Sequence, residues 1–153
     1  MKIIIKTFLL SLAIIIVGGT SSYGQAGYHS HAEINKTLSN LNAAHSSYTS
    51  LEKVGETYSG KEIKALVIGK GEMDSKPGIA IIGGIDGRYI AGREIALGFA
   101  VRLLGNTDEQ LVADLLGKVS FYIIPDVSPD ASEAIFARPV YERLSNANPT
   151  DND

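Results

Sequence analysis

Two short stretches gather most of the side chains able to do chemistry. Gly83-Gly84-Ile85-Asp86-Gly87-Arg88-Tyr89 puts a carboxylate, a guanidinium and a phenol into one turn, and Pro125-Asp126-Val127-Ser128-Pro129-Asp130 adds two more carboxylates. An Asp oxygen can ligate a metal. A planar guanidinium fork suits carboxylates and oxyanions. A neutral Tyr is a poor metal ligand, because its phenol titrates only near about 10. The glycines allow a sharp turn and a close backbone approach to a ligand. Each group also has a plainer reading. Asp86 suits the capping of a turn, and Tyr89 suits an apolar gap with its hydroxyl in water. Arg93 and Glu94 suit a helix surface, where they would complement its dipole. Asp130 suits a loop whose backbone N–H groups it accepts.

Other arrangements lead less far. His29 and His31 flank a helix start with no third donor nearby, so they read as solvated residues rather than half a metal site. His45 reads as surface. Asp151 and Asp153 have the spacing of the first two ligands of a calcium loop. No serine lies in a Gly-x-Ser-x-Gly elbow. Gly83-Gly84 and Gly87 lack the Gly-Lys-Ser/Thr of a phosphate loop.

The elements that must position these groups follow from periodicity. Tyr28 to Ala44 is expected to be a helix. Ser30 and Glu33 have capping-box spacing, and Ile34, Leu38 and Leu41 form one apolar stripe. Leu51 to Thr57 and Glu62 to Gly69 read as a hairpin around the Tyr58-Ser59-Gly60-Lys61 turn. The apolar runs Ile79-Ala80-Ile81-Ile82 and Val119 to Pro125 read as buried strands. Ala91 to Leu104 reads as a helix with Ile95, Ala96, Phe99 and Leu103 on one face, ended by Gly105-Asn106. Leu111 to Leu116 is a short helix or turn, Asp126 to Asp130 a loop, and the sequence from Ala137 onwards has no periodicity. The expected fold is α/β: an open, largely parallel mixed sheet with flanking helices. In such sheets ligands bind beyond the carboxyl ends of the strands, which is where both chemically rich stretches fall.

Composition bounds the function. The 153 residues are 44% hydrophobic and 20% charged, with a formal charge of −3 and no basic run. Nucleic acid is therefore set aside as a partner. The absence of cysteine excludes disulfides, thiol nucleophiles and thiolate metal sites. Lys2 and Lys6, the apolar run Phe8 to Val17 and the small residues Gly18 to Gly24 have the order of a secretory signal. The run is short for a spanning helix, which needs about 20 residues. The expected organisation is a signal peptide over 1–24 and one domain over 25–153. That implies a secreted or periplasmic protein with no stable membrane anchor after cleavage.

The order of these pieces resembles the zinc carboxypeptidases, the carboxypeptidase A/B-type metallopeptidases, over about residues 28–143. The resemblance is carried by Tyr28-His29-Ser30 before the first helix and by the hairpin Val54-Gly55-Glu56-Thr57-Tyr58-Ser59-Gly60-Lys61-Glu62-Ile63. It continues through the Gly-Gly turn, the Gly-Arg-Glu helix start and Ser128-Pro129-Asp130, similar to the family's Asn-Pro-Asp-Gly. It implies a zinc-carboxypeptidase-like fold and peptide hydrolysis on a peptide or protein substrate. The family's His-x-x-Glu zinc motif falls on Asp86 and Tyr89, which thus occupy the two metal-ligand positions. Arg88 falls on the family's arginine beside that motif, a substrate-binding position. Arg143 falls near its oxyanion-stabilising arginine, a catalytic position.

The family's third zinc ligand and its catalytic Glu lie further downstream than Asp153, so the resemblance is to the N-terminal part of the domain, incomplete at its C-terminus. The resemblance implies zinc for the family, but a substituted motif in this chain. Two readings follow. One is a metallocarboxypeptidase relative, inactive or truncated as it stands. The other is a non-catalytic relative that binds a peptide or another ligand through Arg88.

Overall fold

The computed structural model describes residues 27–137 and 142–147. The expected signal segment, the Gly24–Gln25 cleavage site and the Asp151/Asp153 pair lie outside the described residues. Helix α1 spans His31–Ala44, as its capping box directs: Ser30 Oγ accepts from Glu33 N–H, while the Glu33 carboxylate accepts from Ser30 N–H. Ile34 and Leu38 face inward and are buried. Strands β1 (Thr49–Glu56) and β2 (Glu62–Ile68) form the expected hairpin, and Gly60 takes a positive φ of 80° in its turn. Strand β3 is Gly78–Ile82, helix α2 Ala91–Leu104, helix α3 Gln110–Lys118 and strand β4 Ser120–Ile124. A short helix α4, Pro129–Ala134, begins where a loop was expected. Pro129 is already set for a first helical turn, because its φ is fixed and it has no N–H to leave unpaired.

The four strands lie in the order β1-β2-β4-β3. The sheet is mixed and flanked by helices, as expected. Its parallel share is smaller than expected: β1–β2 and β2–β4 are antiparallel and only β3–β4 is parallel. The reason lies in the connections. The five-residue connection between β1 and β2 allows only a hairpin, whereas the β3-α2-α3-β4 crossover returns the chain parallel.

Cross-strand register sets the core. Leu66 faces Ile123, Ile68 faces Phe121, and Phe121 and Ile123 face Ile79 and Ile81. Onto this side pack Ile34 and Leu38 of α1, Ala96, Leu97 and Ala100 of α2, and Leu116 of α3. Ile95 departs from the expected apolar face and is 72% exposed. The buried stripe of α2 runs through Arg93, Ala96, Leu97, Ala100, Leu103 and Leu104 instead. β3, expected to be buried, is instead exposed along most of its length, including Ile79 and Ile82, because among the described strands it lies at the sheet edge with only β4 beside it. Among the described residues no helix is long and apolar enough to cross a membrane.

Candidate functional site

The loops after β3 and β4 meet at the carboxyl ends of these parallel strands. Val127 N–H donates to Gly83 O (3.2 Å), Ser128 N–H to Gly84 O (3.1 Å) and Ser128 Oγ to Ile85 O (3.0 Å). The approach is close enough to require glycine. A Cβ on Gly83 would lie 2.6 Å from Pro125 O, and Gly84 also has a φ of 64°.

Asp86, Arg88 and Tyr89 come together on this turn. Asp86 Oδ1 accepts from Arg88 N–H (2.9 Å) and Nε (3.2 Å), and Oδ2 accepts from Nη2 (2.9 Å). This paired fork is the strong geometry of an Arg–carboxylate contact. The side-chain and backbone hydrogen bonds from Arg88 hold the Asp86 carboxyl below its ordinary value. The same pairing, first through the Asp86 hydrogen bond, raises Arg88. The Arg88 guanidinium sits 5.5 Å from the Tyr89 ring centroid, a cation–π distance. Tyr89 does not fill an apolar gap; it is 68% exposed. Asp86 caps its own turn but not helix α2, whose N-cap is Ile90. An open cleft of about 290 Å³ borders the turn, lined by Ile82, Gly83, Ile85, Asp86, Tyr89 and Gly92.

Arg143 reaches this end of the sheet from the far end of the chain. Gly87 N–H donates to Leu144 O (3.1 Å), and a Cβ on Gly87 would lie 2.8 Å from Arg143 O. Arg88 and Arg143 therefore stand on adjoining backbone segments, and the Arg143 side chain is exposed. Glu142, beside it, adds to the field that raises Arg88.

Two polar networks underlie the site, and neither has a signal in residue spacing. In the first, Asp126 is buried and its Oδ2 lies 2.9 Å from His31 Nδ1 and 3.1 Å from Arg93 Nη2, while Ser132 Oγ donates to both carboxylate oxygens. A carboxylate only accepts, so His31 carries its proton on Nδ1 and takes the Asn35 amide at Nε2 (2.9 Å). His31 is thus a buried residue rather than the solvated one expected, because a carboxylate from the loop after β4 satisfies it. Arg93 is fully buried rather than on the helix surface. Burial pushes its guanidinium down, opposed by Asp126, Glu133 and Glu94. His29 pairs with Glu94 at 2.7 Å.

In the second network, the buried Asp130 carboxylate accepts from Thr57 Oγ1 (3.1 Å), Ser59 Oγ, Lys61 Nζ (3.0 Å) and Ala147 N–H (3.0 Å). Burial pushes Asp130 up, but the hydrogen bonds from Ser59, Lys61 and Ala147 outweigh it and leave the carboxyl below its ordinary value.

The donor set at Asp86 and Tyr89 does not fit a zinc ion. Both Asp86 oxygens are engaged by a cation that already neutralises them. Tyr89 offers a phenol, and among the described residues no three His, Cys, Asp or Glu side chains are grouped to hold a metal. A catalytic zinc takes three protein ligands.

Comparison with known proteins agrees with this architecture. The sequence pattern of the zinc carboxypeptidases matches residues 34–152. Carboxypeptidase B of Astacus astacus is 35% identical over 103 residues, which are 67% of this chain and 33% of that protein. Carboxypeptidase E of Caenorhabditis elegans is 30% identical over 112 residues, 69% of this chain and 24% of that one. The crystal structure of carboxypeptidase A from Helicoverpa armigera superposes with a TM-score of 0.70 at 20% identity, covering 95% of this chain and 36% of that chain. At that identity the likeness is one of fold. The match spans a third or less of the length of these curated relatives.

Proposed function

The chain belongs to the zinc carboxypeptidase family, and from that premise we propose that it is an exported, non-hydrolytic member that binds peptides at the carboxyl end of its sheet. The observation that carries this reading is the Asp86–Arg88 pair. The carboxylate at the first metal-ligand position is spent on a neighbouring guanidinium, and the second position is an exposed Tyr. Without a metal ion no water is acidified and no carbonyl polarised by one. Arg88 gives Asp86 only its Nε and Nη2, so its Nη1 edge remains, with the Arg143 guanidinium on the adjoining segment, next to an open cleft that Asp86 and Tyr89 line. Guanidinium groups recognise carboxylates, so the carboxylate terminus of a peptide is the ligand that this chemistry supports. Export rests on Lys2, Lys6 and the apolar run Phe8 to Val17.

Zinc content and affinity, measured on the full chain beside Asp86→Ala, test the first half of the proposal. Zinc well below one ion per chain in both is the expected outcome. Stoichiometric zinc that disappears in the variant would restore Asp86 as a ligand and overturn the reading. A titration with a peptide ending in a free carboxylate tests the second half. Binding that is unchanged by a chelator and lost with the C-terminal amide is expected.

A second reading, peptide hydrolysis by a longer form of the protein, is favoured by the family match and by the small share of the relatives that it spans. Turnover by such a form, abolished by a chelator, would establish it.

A further inference from the structure

Residues 142–147 run across the carboxyl end of the sheet as a strap without helix or strand. They are fastened at two places. Gly87 N–H donates to Leu144 O at 3.1 Å. Two residues further on, the Asn146 amide takes the place of a strand neighbour: its Oδ1 accepts from Asp130 N–H (3.1 Å) and its Nδ2 donates to Val127 O (3.0 Å). Ala147 N–H then donates to the Asp130 carboxylate. A single side chain thus supplies one donor and one acceptor to the loop after β4.

Arg143 is exposed, so its position depends on the backbone that carries it. That backbone lies over Gly87 only because the glycine has no Cβ and because the strap is fastened downstream. We propose that Asn146 is a positioning residue: it fixes the strap so that Arg143 stands beside Arg88, and the two guanidinium groups together take one carboxylate. This rests on the peptide-binding reading above. The ligand contacts are assigned to the arginines, and Asn146 acts through Arg143 alone.

The test is a double-mutant cycle on the full chain, read by calorimetric titration. The probe is an N-acetylated tripeptide of glycine and leucine with a free carboxylate, alongside its C-terminal amide. Asn146→Ala is expected to weaken binding of the acid roughly tenfold, the scale of one lost contact to a charged group. In an Arg143→Ala background the same change should cost nothing, because the residue it positions is gone. A general structural role would weaken binding in both backgrounds, and that result would overturn the proposal. So would Asn146→Ala with wild-type affinity while Arg143→Ala loses it; the peptide-binding reading would then survive. If the wild type does not distinguish acid from amide, the peptide-binding reading itself fails, and the proposal with it. Should Asn146→Ala lose its cooperative melt, Ala147→Pro replaces it in the cycle. Proline removes the N–H given to Asp130 and keeps the amide, and the same background-dependent loss is expected.

Discussion

Arg93 Nη2 lies 3.1 Å from Asp126 Oδ2, and both side chains are almost wholly out of water. The guanidinium nitrogens find no well-aligned hydrogen bond, so the contact is chiefly one of charge. Breaking such a pair from one side leaves an uncompensated ion in the interior. Asp126→Ala should therefore destabilise the fold by about 3–5 kcal/mol, in addition to releasing His31 and Ser132. Urea unfolding measures it. A loss below about 1 kcal/mol would mean that water reaches Arg93.

Gly87→Ala should cost about 1–3 kcal/mol, as over-packing does. The added methyl would fall 2.3 Å from the Ala131 Cβ, and neither neighbour is a flexible side-chain end. Amide exchange should show a second effect: faster exchange at Gly87→Ala itself, where the N–H gives up its bond to Leu144. Protection equal to wild type would show that the strap absorbs the extra volume.

Stability should fall on the acid side through Asp130. Its folded carboxyl lies below the ordinary value, so the unfolded chain takes up the proton first. Its contribution is complete above the ordinary Asp value of about 3.9. It is lost as pH falls through the lower folded value. Asp130→Asn should flatten the dependence of unfolding free energy on pH below about 4. A slope identical to wild type would place the acid sensitivity elsewhere.

Arg88→Ala should let the Asp86 carboxyl titrate higher than in the wild type, because the hydrogen bonds that hold it down come from Arg88. Carboxyl carbon shifts followed by NMR across the acid range report this directly. An unmoved midpoint would show that the remaining backbone bond suffices. Zinc added to this variant tests whether freeing Asp86 alone creates an ion site; with Tyr89 as its partner, none is expected.

Local signals in the sequence were sound where the physics is local. Ser30 and Glu33 announce the start of α1 because a capping box needs only its own four residues. The hairpin and the strand character of β3 and β4 were legible for the same reason, but the burial expected of β3 was not, since that strand is mostly exposed. Errors arose where a partner from elsewhere decides. Ile95 belongs by type to the apolar face of α2, yet Arg93 is buried there because Asp126 neutralises it, and nothing in the spacing of either residue says that they meet. His31 and Asn146 were unreadable for the same reason: each is satisfied by a group from the loop after β4. The turn Asp86 to Tyr89 lay within reach, since the Asp-Gly-Arg spacing already permits a local carboxylate–guanidinium pair.

Strand β3 has a consequence for handling the protein. Gly78-Ile79-Ala80-Ile81-Ile82 carries no charge, and among the described strands only β4 pairs with it. Among the described residues no strand covers its other side, which is flanked by the exposed Ile79 and Ile82. Natural sheets guard such edges with lysine, proline or a bulge. Here the nearest such residue is Pro77, at the strand's threshold. Such a rim templates aggregation, so the soluble yield of this chain depends on how much of it is in solution at once.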